Sequence, residues 1–245
     1  MTRHGDSAVL RAVDLSVAYG DRQVLSPLTF AVEPGELVAV VGPNGAGKST
    51  LFKALAGFID HEGDVVLHGE RCHHLERHAI AYIPQHSEVD LRFPISVAEV
   101  VMAGRRRFHG SRMRPNDVDR DKVRECIDRV DLAAAADRSL STLSGGQVQR
   151  VMLARALAQE ADVLLLDETL SGVDARRTVD LVSLFRELCA HGTSVIVSSH
   201  DLGMVRAQFG RCLALNGRLV GDGNPGTELT GDKLEKVFSS QWSEP

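Results

Sequence analysis

Gly42-Pro43-Asn44-Gly45-Ala46-Gly47-Lys48-Ser49-Thr50 is the stretch whose reading decides the fold. It fits the pattern G-x-x-x-x-G-K-[ST] at every fixed position. Gly42, Gly45 and Gly47 carry no Cβ, so the backbone can turn tightly and approach a ligand closely. Their N–H groups then form a concave nest for anionic oxygens. Lys48 puts a point charge where the β- and γ-phosphates of a nucleotide lie, and Ser49 offers a hydroxyl to Mg²⁺. The flanks fit this reading. Leu37-Val38-Ala39-Val40-Val41 reads as a buried strand, and Leu51, Leu55 and Phe58 follow at helical spacing. Strand, glycine loop and helix is the order a phosphate site needs, because the helix N-terminus adds its dipole to the nest. A glycine turn with an incidental lysine would not need these flanks.

Working outward, residues 8–33 alternate apolar and polar positions on either side of Gly20-Asp21, which predicts antiparallel strands around a turn. Tyr19 precedes that turn. It is either an aromatic that stacks on a base or an ordinary strand-end residue. Gly63 to Gly69 and Ile80 to Ile83 read as short strands. Residues 94–107 read as a helix ending in Arg105-Arg106-Arg107, and 117–158 as mostly helical with a break at Leu143-Ser144-Gly145-Gly146. Ala161 to Asp167 and Thr193 to Ser199 read as buried strands with a helix over 175–190 between them. Cys212 to Leu215 and Arg218 to Val220 pair across Asn216-Gly217, a strong hairpin turn. A short helix is expected over 230–238. Buried strands separated by helices imply an α/β fold with a mostly parallel sheet core. The early alternating strands add an antiparallel β-subdomain, and the helical block at 94–158 is an inserted subdomain, leaving 1–93 and 159–245 as the core of one domain.

Composition narrows the class of function. A formal net charge of −5 argues against a general nucleic-acid binder. Met1 to Gly20 has no apolar h-region, so no signal peptide is expected. No apolar run approaches the ~20 residues that span a bilayer. Cys72, Cys126, Cys189 and Cys212 are widely spaced and form no CxxC, which reads as reduced thiols in a cytosolic protein.

Three further stretches carry chemistry. Val163-Leu164-Leu165-Leu166-Asp167-Glu168 places two acids at the C-terminal end of a strand, where open α/β sheets bind ligands. Asp167 can hold Mg²⁺ against phosphates, and Glu168 can polarise an attacking water; the plainer alternative is two surface acids capping a strand. In Leu143-Ser144-Gly145-Gly146-Gln147, Ser144 looks like an N-cap and the glycines leave N–H groups exposed, a second potential phosphate site. Gln85 follows a strand and is a candidate Mg²⁺ or water ligand; His200 ends a strand and could touch the γ-phosphate.

Together these residues resemble, in order and over almost the whole chain, the ATP-binding subunits of ABC transporters, P-loop NTPases of ABC type. Tyr19 matches the aromatic A-loop, Gly42 to Thr50 the Walker A loop and Gln85 the Q-loop. Leu143 to Gln147 matches the signature motif, with Gln149 and Arg150 after it. Val163 to Asp167 matches Walker B, with Glu168 as catalytic glutamate. Ser171-Gly172-Val173-Asp174 resembles the D-loop and His200 the switch histidine. The resemblance implies ATP and Mg²⁺ as ligands. Glu168, His200 and Gln85 would be catalytic. Tyr19, Gly42, Pro43, Asn44, Gly45, Ala46, Gly47, Lys48, Ser49, Thr50, Ser144, Gly145, Gly146, Gln147 and Asp174 would contact the nucleotide, and Ser49, Gln85 and Asp167 the metal. It also implies a head-to-tail ATP-dependent dimer at the cytoplasmic face of the membrane. The expected partners are permease subunits and, indirectly, an extracytoplasmic substrate-binding protein. One departure is Thr169 where the family usually has proline after the glutamate, which frees a backbone N–H and relaxes φ.

Within the family, Phe93-Pro94-Ile95-Ser96-Val97 leading to Gly104-Arg105, and Gly172-Val173-Asp174, resemble the zinc and manganese importers. Importers of iron chelates and haem share parts of the pattern. A nucleic-acid-linked ABC ATPase would usually carry a coiled-coil insertion, zinc modules or a second ATPase domain, and none is visible. A non-hydrolysing binding module would not need both Glu168 and His200. Cys72, His73, His74 and His78 form a cluster that could sense zinc, although exposed polar residues are the plainer reading. Arg105 to Arg107, with Arg112 and Arg114, read better as a solvated helix end near the membrane partner than as a nucleic-acid patch.

Overall fold

Five apolar residues, Leu37–Val41 (β3), form the strand around which the larger sheet is built. The computed structural model describes residues 8–72, 79–85, 94–108, 114–170 and 175–238. In it β3 lies between two parallel neighbours, Ser194–Ser199 (β8) and Arg211–Leu215 (β9). Val163–Leu166 (β7) runs parallel beyond β8, with Ile80–Ile83 (β6) next to it at the edge. Leu219–Gly223 (β10) closes the opposite edge, antiparallel to β9. A parallel strand covered on both faces has no polar side, hence the unbroken Val and Leu runs. Val38, Val40, Val163, Leu165 and Ile196 are indeed fully buried. Asn216-Gly217 joins β9 to β10 as the hairpin expected from that dipeptide, with Gly217 at φ 63°.

The alternation over residues 8–33 resolves into Leu10–Tyr19 (β1) and Arg22–Val32 (β2), antiparallel across Gly20 at φ 60°. Their register is irregular: Asp14 adopts φ 50°, and pairing slips between Ala12 and Leu15. Glu62–Leu67 (β4) pairs with β1, and Glu70–Arg71 (β5) with β4. β4 is the strand expected between Gly63 and Gly69; the chain then reverses at His68 and Gly69, both at positive φ, into β5, which the sequence reading does not include. The helix after the glycine loop is Lys48–Leu55 (α1) and does not reach Phe58. Gly57 takes the left-handed conformation that terminates helices, and Phe58 is left two-thirds exposed.

The chain forms two compact units, Met1–Tyr82 with Asp162–Pro245, and Ile83–Ala161. The first holds both sheets, α1, Ala175–Ala190 (α5), Leu202–Gln208 (α6), Pro225–Glu228 (α7) and Gly231–Phe238 (α8). The sequence reading does not include the helix α6; its N-cap is Asp201, whose carboxylate accepts from the Met204 N–H.

The second unit is helical. Val97–Ala103 (α2) continues as a 3₁₀ turn, Gly104–Phe108, so the helix expected over 94–107 tightens at its end. The block 117–158 is not continuous. Asp117–Asp128 (α3) stops before Asp131 at φ 54°, 3₁₀ turns follow at Ala133–Ala135 and Leu140–Thr142, and Gly145–Ala158 (α4) completes the unit. Among the described residues, the three α-helices of this unit begin with a capping box: Ser96 with Glu99, Asn116 with Asp119, Ser144 with Gln147. Each box satisfies two helix-end groups from within four residues. Among the described residues, no helix is long and apolar enough to cross a membrane.

Inside this unit Arg105 is buried. Its Nε donates to Asp119 Oδ1 at 3.1 Å, its Nη1 donates to Glu160 Oε2 at 2.7 Å and to the Ala158 carbonyl, and its guanidinium stacks 3.9 Å over the Phe108 ring. The network ties the 3₁₀ turn to the start of α3 and the end of α4. Removing one member of a buried pair leaves a desolvated charge. Arg105→Met is therefore expected to destabilise the unit by about 3 kcal/mol or more. Urea unfolding of the full chain followed by far-ultraviolet circular dichroism checks this, and an unchanged midpoint would mean that water replaces the guanidinium at Asp119.

Candidate functional site

Gly42 opens the glycine loop directly against the end of β9. A Cβ there would sit 2.1 Å from the Leu215 carbonyl oxygen, so only glycine lets the loop start in this place. Gly47 closes it at φ 91°, where a Cβ would lie 2.4 Å from Leu25 Cδ2 on β2. Two backbone bonds brace the turn between: Gly217 N–H donates to the Ala46 carbonyl at 3.0 Å, and the Gly217 carbonyl accepts from Ser26 N–H at 2.7 Å. The hairpin turn thus joins the loop to β2. Gly45, by contrast, is exposed, and a Cβ there would meet nothing within 4 Å. The loop has a braced back and an open face.

Lys48 begins α1 with its side chain buried. Its Nζ donates to the Gly42 carbonyl at 2.9 Å and the Pro43 carbonyl at 3.1 Å, and lies 3.9 Å from Glu168 Oε1. Burial pulls this ammonium below the usual lysine range, and the Glu168 and Asp167 carboxylates push it back up. A polyanion on the open face would act in the same sense as the carboxylates. Ser49 and Thr50 sit half-buried in the first turn of α1.

The acids follow β7. Asp167 is almost fully buried, and both its oxygens are held: Ser198 Oγ donates to Oδ1 at 2.6 Å, and the Tyr82 phenol donates to Oδ2 at 3.3 Å. Glu168 takes φ 49°, uncommon for a residue with a Cβ, and its N–H donates to Ser198 Oγ at 2.8 Å. Thr169, at the position where proline was expected, is buried.

Register explains the assembly. Val41 pairs with Ser199, and Leu166 with Val197. The glycine loop, Asp167-Glu168 and His200 therefore leave adjacent parallel strands at their C-terminal ends, the edge where open α/β sheets take ligands. His200 is exposed there, and Tyr19 is 54% exposed at the end of β1. Gln85 is exposed after β6, and Ser144, Gly145 and Gly146 are exposed at the start of α4, with Gln147 half-buried; these belong to the second unit. Asp174 and the rest of Ser171 to Asp174 lie outside the described residues, as do Phe93, Arg112, His73, His74 and His78. Sequence reasoning missed Tyr82, Ser198 and Gly217. The first two showed no signal beyond lying on strands, whereas the hairpin dipeptide marked Gly217 as a turn but not as a brace.

The donor set suits hard oxygen chemistry. Ser49 offers a hydroxyl and Asp167 a carboxylate, the ligand types a magnesium ion takes, and the glycine loop leaves one face open, the form a phosphate nest has. Among the described residues, no group of three or more His, Cys, Asp or Glu could hold a metal ion.

Comparison with known proteins agrees. Residues 25–171 match the family model for the ABC transporter. The zinc transport system ATP-binding protein TroB of Treponema pallidum is 39% identical over 231 residues, 94% of this chain and 86% of its own. The manganese transport system ATP-binding protein MntA of Synechocystis sp. is 40% identical over 227 residues, 91% of this chain and 87% of its own. The structure of cbiO1 from Clostridium perfringens, part of the ABC transporter complex cbiONQ, superposes with a TM-score of 0.78 at 25% identity, covering 94% of each chain. A loop for nucleotide phosphates, paired acids at the same sheet edge, and relatives aligned nearly end to end lead to one assignment: the chain belongs to the ABC transporter family, as an ATP-binding ATPase subunit.

Proposed function

We propose that this subunit binds and hydrolyses MgATP to power import of a divalent metal ion, zinc or manganese. One observation carries the hydrolytic half: Glu168 Oε1 stands 3.9 Å from Lys48 Nζ, so a carboxylate and the phosphate-facing ammonium meet at one sheet edge. The names of the relatives, TroB for zinc and MntA for manganese, support the cargo, together with the pattern Pro94 to Arg105.

The roles follow from position. The N–H groups of the loop from Gly42 to Thr50 cradle the phosphates, Lys48 faces the β- and γ-oxygens, and Tyr19 stacks on the base. Ser49, Asp167 and Gln85 would hold Mg²⁺, which when bound offsets phosphate charge. Water attacks the γ-phosphorus, its proton passes to the Glu168 carboxylate, and ADP leaves as the bridging P–O bond breaks. His200 orients the γ-phosphate.

A single loop covers one side of an ATP. Ser144-Gly145-Gly146-Gln147 is a second exposed helix start in the same chain. In this reading two copies pack head to tail, and each signature motif, with Asp174, closes over the other's loop. ATP favours the closed pair because it adds contacts that the open pair lacks. Hydrolysis removes them, and the copies part and move permease subunits, loaded from outside by a substrate-binding protein. The subunit then sits at the cytoplasmic face of the membrane without entering it.

Lys48→Ala is expected to weaken MgATP binding severely, because a charge-assisted contact with phosphate is lost; equilibrium titration with a fluorescent nucleotide measures this, and unchanged affinity rejects the loop assignment. Glu168→Gln keeps the shape but not the base, so turnover should fall by ~10²–10⁴ while ATP binding persists. The same variant should form an ATP-held dimer in light scattering that separates with ADP, and adding Ser144→Arg should abolish it. A deletion strain that grows normally under metal chelation yet fails on a siderophore or haem would reassign the cargo.

A further inference from the structure

Asp167 and Glu168 are adjacent in sequence and face different tasks, yet one hydroxyl touches both. Ser198 Oγ, on fully buried β8, donates its single proton to Asp167 Oδ1 at 2.6 Å and accepts the Glu168 N–H at 2.8 Å. A hydroxyl has one donor and two acceptor lone pairs, so this geometry uses it in both senses at once. The Glu168 backbone needs such a hold. At φ 49° it occupies a region that a residue with a Cβ visits at a cost, and such conformations persist where surrounding structure fixes them. The register Leu166↔Val197 brings the two segments level, so Ser198 lies beside the peptide joining the acids.

We infer that Ser198 is a positioning residue for hydrolysis: its hydroxyl couples the metal-facing carboxylate of Asp167 to the backbone of Glu168 and so aims the general base. This rests on the assignment of Glu168 as base. The side chain is fully buried under this edge. An alanine adds no volume and removes the donor from a buried carboxylate and the acceptor from the Glu168 N–H. Threonine and valine have the same shape and differ in the hydroxyl alone.

The test uses the full chain. Single-turnover and steady-state ATP hydrolysis are measured for Ser198→Ala, Ser198→Val and Ser198→Thr, each also scored for affinity toward a fluorescent ATP analogue. Ser198→Ala and Ser198→Val are expected to lower kcat about 10- to 100-fold, with KM and nucleotide affinity within about twofold of the parent. Ser198→Thr should recover most of the loss. Because the hydroxyl acts through Glu168, Ser198→Ala should add little to the defect of Glu168→Gln. Wild-type kcat in Ser198→Ala, equal rates for the valine and threonine variants, or a full additional loss in the Glu168→Gln background would each overturn the inference alone. A Glu168→Gln chain that turns over at the wild-type rate would overturn the base assignment itself, and the inference with it.

Discussion

The absence of a Cβ at Gly42 is the constraint on which the rest depends. Leu215 ends β9 with its carbonyl where a side chain would stand, so the loop begins pressed against the sheet. From there every neighbour is committed. Gly217 bonds Ala46 on one side and Ser26 on the other, and Gly47 clears Leu25. The antiparallel sheet is thereby fastened to the parallel one through the phosphate loop. The two sheets also share one apolar core, and these backbone bonds add a polar joint at the loop itself.

The carboxylate side is organised differently. The loop is shaped by close approach, whereas Asp167 and Glu168 are shaped by hydrogen bonds from residues distant in sequence. Tyr82 and Ser198 hold the two oxygens of Asp167, and Lys48 stands near Glu168. Buried acids are costly unless such partners are present. Lys48 in turn is buried with loop carbonyls to receive its protons. The edge holds opposite charges in a preorganised arrangement, which suits a ligand that develops and redistributes charge.

The loop, its flanking strand and the acids were legible because their signals are local: glycines at fixed spacing, a valine run, two acids after a leucine run. The hairpin at Asn216-Gly217 was legible for the same reason. Helix ends were less so. Phe58 fits the period of α1, but Gly57 in the left-handed conformation ends the helix first. In the block 117–158, Asp131 at positive φ and the 3₁₀ turns break a pattern whose apolar spacing continued. Ser198 and Tyr82 were hidden, since nothing near either residue marks a hydroxyl that meets an acid from another strand. Such partners follow from strand order and register, which the sequence does not spell out.

The position of β3 has a consequence for synthesis. Val38 pairs with Ile196 and with Arg211, and the helical unit Ile83–Ala161 lies between them in the chain. A ribosome adding ~5–20 residues per second needs on the order of ten seconds or more to reach those neighbours. Throughout that interval the newborn Leu37–Val41 segment is an apolar strand with both edges unfilled, the kind of surface that pairs with other chains. The helices α2, α3 and α4 carry their own start signals and can form as they emerge. The glycine loop that follows β3 is made long before Leu215 and Gly217, the neighbours that fix its start and its turn.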